Sequence, residues 1–141
     1  MTLLLVHLVL VSAYAGFQWT VRGLVYPQFA EVPEQAFAGY ERAHQRRVSV
    51  VVGPLFAGQG ITVLWLLADR PDGLSPGWVL ASGALLAVVL GVTALGAVPL
   101  HRRLDAGWDR QAHRALLRVD AVRLAAALAN ALVVLVAVLR G

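Results

Sequence analysis

The sequence predicts an all-α integral membrane protein, a four-helix bundle, and three observations carry that prediction. Apolar residues make up 59% of the chain and charged residues 14%, against about 45–50% and about 25% in soluble domains. Four apolar stretches each approach the roughly 20 residues that a helix needs to cross a bilayer. Charged residues gather between those stretches and rarely interrupt them. A single domain of 141 residues has too little interior to hide so much apolar surface from water, whereas lipid solvates it.

The first span is expected over about residues 2–25, carrying His7 and Gln18 and ending at Arg22, with Tyr26-Pro27 just beyond. Leu3 to Val11 followed by Ala13-Tyr14-Ala15 has the outline of a signal peptide. No positive charge precedes it and the apolar run continues to Trp19, so it reads as a retained span. After a short connection, Pro33 and Glu34 suit the first turn of a helix. Residues 33–47 then read as a polar helical extension running directly into a second span over about 48–68. Pro54 lies inside that span and predicts a kink. Gly53, Gly58 and Gly60 predict close approach of a neighbouring helix.

Asp69-Arg70-Pro71-Asp72-Gly73 is a turn. A third span follows over about 77–98, with Pro99 expected to end it and His101-Arg102-Arg103 next. A second polar extension over about 108–118 leads into the fourth span, about 119–139. Both halves read span, proline, acidic-Arg-x-His helix, span. That pattern is either a parallel repeat of two helical hairpins or a chance likeness between arginine-rich connections.

All twelve basic residues are arginine. They flank spans and form no basic stripe of the kind that binds nucleic acid, so no nucleic-acid partner is expected. The first connection holds Arg42, Arg46 and Arg47, and the third holds Arg102, Arg103, Arg110, Arg114 and Arg118. The middle turn holds Arg70 alone. The positive-inside bias therefore places the two rich connections in the cytoplasm and both termini outside, across a membrane expected to be the bacterial inner membrane. The absence of cysteine excludes disulfides, thiolate metal sites and cysteine nucleophiles.

Three histidines, His44, His101 and His113, fall at the arginine-rich end. Glu41 and His44 share a helix face at i and i+3. In di-iron bundles such a Glu-x-x-His pair occurs on each of two helices. Asp109 and His113 are the nearest match here, so the candidate metal ligands are Glu41, His44 and His113. The cofactor is then either none or a single transition metal, iron or copper. The alternative is that these are solvated residues paired with nearby arginines. Asp120 and Arg123, at i and i+3, read as an ion pair inside the fourth span, with Arg22 near the same depth. His7, Gln18, Gln59 and Asn130 read as interhelical hydrogen-bonding residues. Trp19, Tyr26 and Tyr40 add an aromatic lining that suits a flat lipophilic molecule.

Three segments carry a family resemblance. They are Val25-Tyr26-Pro27-Gln28-Phe29, Val98-Pro99-Leu100-His101-Arg102-Arg103-Leu104 and Leu117-Arg118-Val119-Asp120-Ala121-Val122-Arg123. In this order they resemble the anthrone oxygenase-like family of small four-span membrane proteins. His101 and Asp120 stand where that family usually has asparagine. The resemblance implies a four-helix membrane fold and, in some members, oxidation of a polycyclic phenol by dioxygen. The expectation is therefore a small membrane oxidoreductase acting on a lipophilic aromatic or quinol-like compound at the cytoplasmic ends of the helices. His44 and His101 would be base or ligand, and Arg123 with Asp120 would polarise a phenolic oxygen. Tyr26, Tyr40, Trp19 and Arg22 would bind the substrate. The alternative is a non-enzymatic membrane subunit or transporter half, associating as a homo-oligomer or with another protein through its helices.

Overall fold

The structure, a computed structural model, describes Met1–Arg140 and contains no strand among the described residues. Four helices are long and apolar enough to cross a membrane: α1 (Thr2–Glu31), α2 (Glu34–Ala68), α3 (Pro76–Asp105) and α4 (Arg110–Arg140). They run up and down in chain order, and α1 closes the bundle against α4. The short connections after α1 and α3 bring the arginine-rich segments to one end, and the turn between α2 and α3 lies at the other.

Polarity is distributed as lipid demands. Val9, Val50, Leu64, Leu95 and Leu139 face outward, Leu95 with 85% of its surface exposed. His7, Gln18, Glu41, Asp120, Arg123 and Asn130 are buried between helices. A charge facing mid-bilayer hydrocarbon costs about 2.5–3.5 kcal/mol even on the most lenient scale, so the bundle interior is where such groups survive.

The helix ends follow local chemistry. Ser75 caps α3 by accepting from the Gly77 N–H (3.3 Å), and Pro76 occupies the first turn. Asp109, expected inside a helix and beside His113 as a ligand, instead caps α4. Its Oδ1 accepts from the Ala112 N–H (2.9 Å) and its Oδ2 from Arg103 (2.6 Å). That backbone N–H first, and then the guanidinium, hold the Asp109 carboxyl below the usual carboxylate range. A depressed folded value stabilises the fold above the ordinary carboxylate range, and the contribution disappears as pH falls through the lowered value. Asp109→Asn is expected to flatten the acid limb of a thermal-stability profile, a comparison of melting temperatures across that range.

Both prolines expected at span ends lie within continuous helical rods. Val21–Val25 in α1 and Thr93–Ala97 in α3 form π turns of five residues. The Tyr26 N–H reaches back to the Val21 carbonyl, and that of Val98 to the Thr93 carbonyl. Pro27 would strike the carbonyl of Gly23 in a regular helix, and Pro99 that of Leu95. Both carbonyls sit in the widened turns, so the rods pass their prolines and continue to Glu31 and Asp105. The same device in both halves extends the likeness between them. Within α2, Pro54 is likewise accommodated without a break in the helix.

The glycines divide by environment. A Cβ on Gly58 would lie 3.0 Å from Leu10, and one on Gly96 3.1 Å from Val119. At Gly53 and Gly60 it would meet nothing within 4 Å among the described residues, so close approach holds for Gly58 and not for those two. Gly53→Ala is expected to be neutral or to stabilise by up to about 1 kcal/mol through helix propensity. Gly96→Ala presses on a stiff β-branched side chain and is expected to cost about 1–3 kcal/mol. Thermal denaturation in detergent separates the two.

At the end away from the arginines, His7 ties three helices. The Thr62 hydroxyl donates to the Gly58 carbonyl (2.7 Å), which leaves its oxygen to accept from His7 Nδ1–H (2.6 Å). Ser82 then donates to His7 Nε2 (2.9 Å). Every polar atom of this buried cluster is used in packing.

Candidate functional site

The second polar cluster lies at the arginine-rich end, where the segments beyond the two π turns meet α2. Glu41, on α2, is fully buried. Its Oε1 accepts from His101 Nδ1–H (2.5 Å) and from the Gln45 side-chain amide (3.2 Å). A carboxylate at Nδ1 assigns the proton to that nitrogen and leaves Nε2 as an acceptor. The Tyr26 hydroxyl occupies that position, 3.0 Å away. Carboxylate, imidazole and phenol thus form one chain across α2, α3 and α1.

His113, expected as a metal ligand, is engaged elsewhere. Its Nε2–H donates to the Tyr26 backbone carbonyl (2.7 Å), an acceptor that also takes the Phe29 N–H. Its ring also lies beside Phe29 and Trp108. Glu41 pairs with His101 across helices and forms no ligand set with His44 and His113. Among the described residues no three His, Asp or Glu side chains form a group suited to a metal ion. The donor set anticipated for iron or copper therefore does not fit.

A second network approaches Tyr26 from α4. Tyr14 donates to Gln18 Oε1 (3.1 Å), and the Gln18 amide donates to Asp120 Oδ1. Arg123 donates to the same oxygen (3.3 Å), so the expected ion pair forms, wholly inside the bundle. The guanidinium lies beside the phenols of both Tyr14 and Tyr26. Its Nε has no partner among the described residues, nor does Asp120 Oδ2. Arg22 comes near enough to act on the Asp120 carboxylate without bonding to it.

Tyr26, His101 and Arg123 converge on a cavity of about 310 Å³. Phe17, Val52 and Phe56 supply its apolar walls, and Val21, Thr93 and Ala97 bring residues of both π turns to it. π turns within α-helices occur often at functional sites. A largely apolar cavity with a few convergent polar groups is the usual form of a small-molecule site.

The other anticipated residues are placed differently. Asp120 anchors Arg123 from behind and lines no part of this cavity. His44 and Tyr40 line a neighbouring cavity of about 290 Å³, together with Arg47. Trp19 is 63% exposed on the outer face of α1, turned away from both cavities. Gln59 bonds within its own helix, to the Leu55 carbonyl (3.1 Å), and not to a neighbouring one.

Sequence reasoning missed Glu41 as the partner of His101, because its i+3 neighbour His44 offered a nearer explanation. It also missed Gln18 and Tyr14 as supports of the ion pair, although a polar residue at position 18 in an apolar span was a visible signal. No protein-family model matches the chain, and neither a curated protein nor a solved structure matches it.

Proposed function

We propose that the protein is a small membrane oxidoreductase that acts on a lipophilic aromatic, quinol-like compound at the cytoplasmic end of its helices, in the bacterial inner membrane. The observation that carries this reading is the Glu41–His101–Tyr26 chain, which ends in a largely apolar cavity that it shares with a buried guanidinium with an unused donor. A phenol or its keto tautomer becomes oxidisable once it loses a proton. Tyr26 can accept that proton while passing its own to His101 Nε2, and the Glu41 carboxylate stabilises the resulting imidazolium. Arg123 then offers a hydrogen bond to the oxyanion in a water-poor site, where such a bond counts most.

The resemblance to anthrone oxygenases supplies a reaction of this type. One anthrone and one dioxygen yield one anthraquinone and one water. The substrate gives up two hydrogens, one oxygen atom enters the ring system, and the other leaves as water. The test is oxygen uptake and anthraquinone formation by the protein in lipid nanodiscs supplied with anthrone, beside empty nanodiscs. Oxidation well above the empty-disc rate and lost in Arg123→Gln is the expected result. Oxidation at the background rate, with no phenol retained by the protein, would sink the proposal.

A non-enzymatic subunit is the second reading. It is favoured by the exposed small residues Gly53 and Ala57 on α2, which leave that helix open to close contact. A discrete oligomer that binds no phenol would favour it.

A further inference from the structure

We infer that the second cavity is the route by which the proton taken up in the first cavity returns to water, and that His44 is the group that receives it. The inference rests on the oxidoreductase reading. The two cavities share a wall of Phe17, Val21 and Val48 but differ in their polar groups. Tyr26, His101 and Arg123 face the first, whereas His44, Tyr40 and Arg47 face the second.

The reacting chain touches both sides. His44 follows Glu41 by one turn on α2, and its ring stacks on that of His101, with centroids 5.7 Å apart and planes 24° from parallel. His44 Nε2 is buried and has no partner among the described residues, and the same is true of Glu41 Oε2. His44 lines the cavity of about 290 Å³ and Glu41 lies one turn before it on the same helix, and two unpaired buried atoms so placed are the setting that an ordered water satisfies. A water bound there joins Glu41 to His44 and completes a path from Tyr26 through His101 and Glu41 to the second cavity. The groups facing His44 are Glu41 and Arg47 on α2, Tyr26 on α1 and His101 on α3, with Phe29 and Tyr40 at its sides.

The balance of the step is simple. One proton leaves the phenol, one proton reaches water, and no electrons move. On this path the proton reaches water on the far side of the wall of Phe17, Val21 and Val48 from the reactive anion, which separates the anion from the proton it has lost. A proton forced to leave past the bound substrate would have no such separation.

The test uses 1-naphthol, which is un-ionised in neutral water and whose anion absorbs at longer wavelength than the phenol, with protein in nanodiscs and a pH indicator in weak buffer near neutral pH. In stopped flow the wild type is expected to show anion formation and indicator response together. In His44→Ala the anion still forms, and the indicator lags by about a hundredfold, a typical share for one acid–base group. Added imidazole restores the rate. Ala43→Leu, which fills the second cavity and keeps His44, is expected to show the same lag without rescue by imidazole. Melting temperature and naphthol affinity establish that both variants are folded. An indicator that keeps pace with the anion in both variants would overturn the exit route and leave the oxidoreductase reading standing. A wild type that forms no anion would remove that reading and the exit with it.

Discussion

Replacing His101 with alanine is expected to lower kcat/KM for anthrone by about 10²–10⁴-fold, the range for loss of a positioned acid–base group. The change removes the acceptor for the Tyr26 proton and also strands Glu41, whose Oε1 would keep only the Gln45 amide. Tyr26→Phe is expected to fall in the same range with little loss of stability, because the ring keeps its contacts with Phe29 and His44. Glu41→Gln keeps the shape and removes the charge that supports the imidazolium, so its loss should fall on kcat more than on KM. Steady-state kinetics on the three variants in nanodiscs decides the matter. Full activity in Tyr26→Phe would show that His101 meets the substrate directly, and full activity in His101→Ala would end the base assignment.

The second large effect concerns stability. Asp120→Leu leaves the Arg123 guanidinium inside the bundle without its counter-charge. Breaking a buried pair by removing one partner costs about 3–5 kcal/mol, whereas replacing both by apolar residues of similar volume is often neutral. Asp120→Leu is therefore expected to melt far below the wild type, and Asp120→Leu with Arg123→Met to recover most of the difference. The recovered double variant should still fail to bind 1-naphthol as its anion, since the donor is gone. Equal melting of Asp120→Leu and the wild type would mean that the Tyr14 and Tyr26 oxygens near Arg123 already compensate it.

The four spans and the up-and-down order were legible in the sequence because both follow from apolar length and from where arginine is placed. Two residues, His101 and Arg123, that converge on the cavity beside Tyr26 were legible because a charged or imidazole group beside a span is conspicuous. What escaped is what depends on rotation about a helix axis. Trp19 and Gln18 are adjacent in the chain, yet one faces outward and the other bonds Asp120. Aromatic character alone could not choose between them. Glu41 has two histidines within reach, and the helix spacing favours His44, whereas packing of α3 against α2 delivers His101. Pro99 was expected to end a helix because proline usually does, and the wide turn that admits it has no compositional mark.

Those wide turns have a consequence for how the site is held. Each amounts to one extra residue threaded into a rod, and one residue is worth about 100° of helical phase. The wide turn takes up that residue, so the helix on either side keeps the phase that packs it. Deleting a residue from either turn would restore a regular helix with both ends facing as they do, and would bring Pro27 or Pro99 against a carbonyl one turn back. Each proline is thus a wedge that keeps its turn from closing. The rod carries Tyr26 in one case and His101 in the other past that wedge without losing its seat in the bundle.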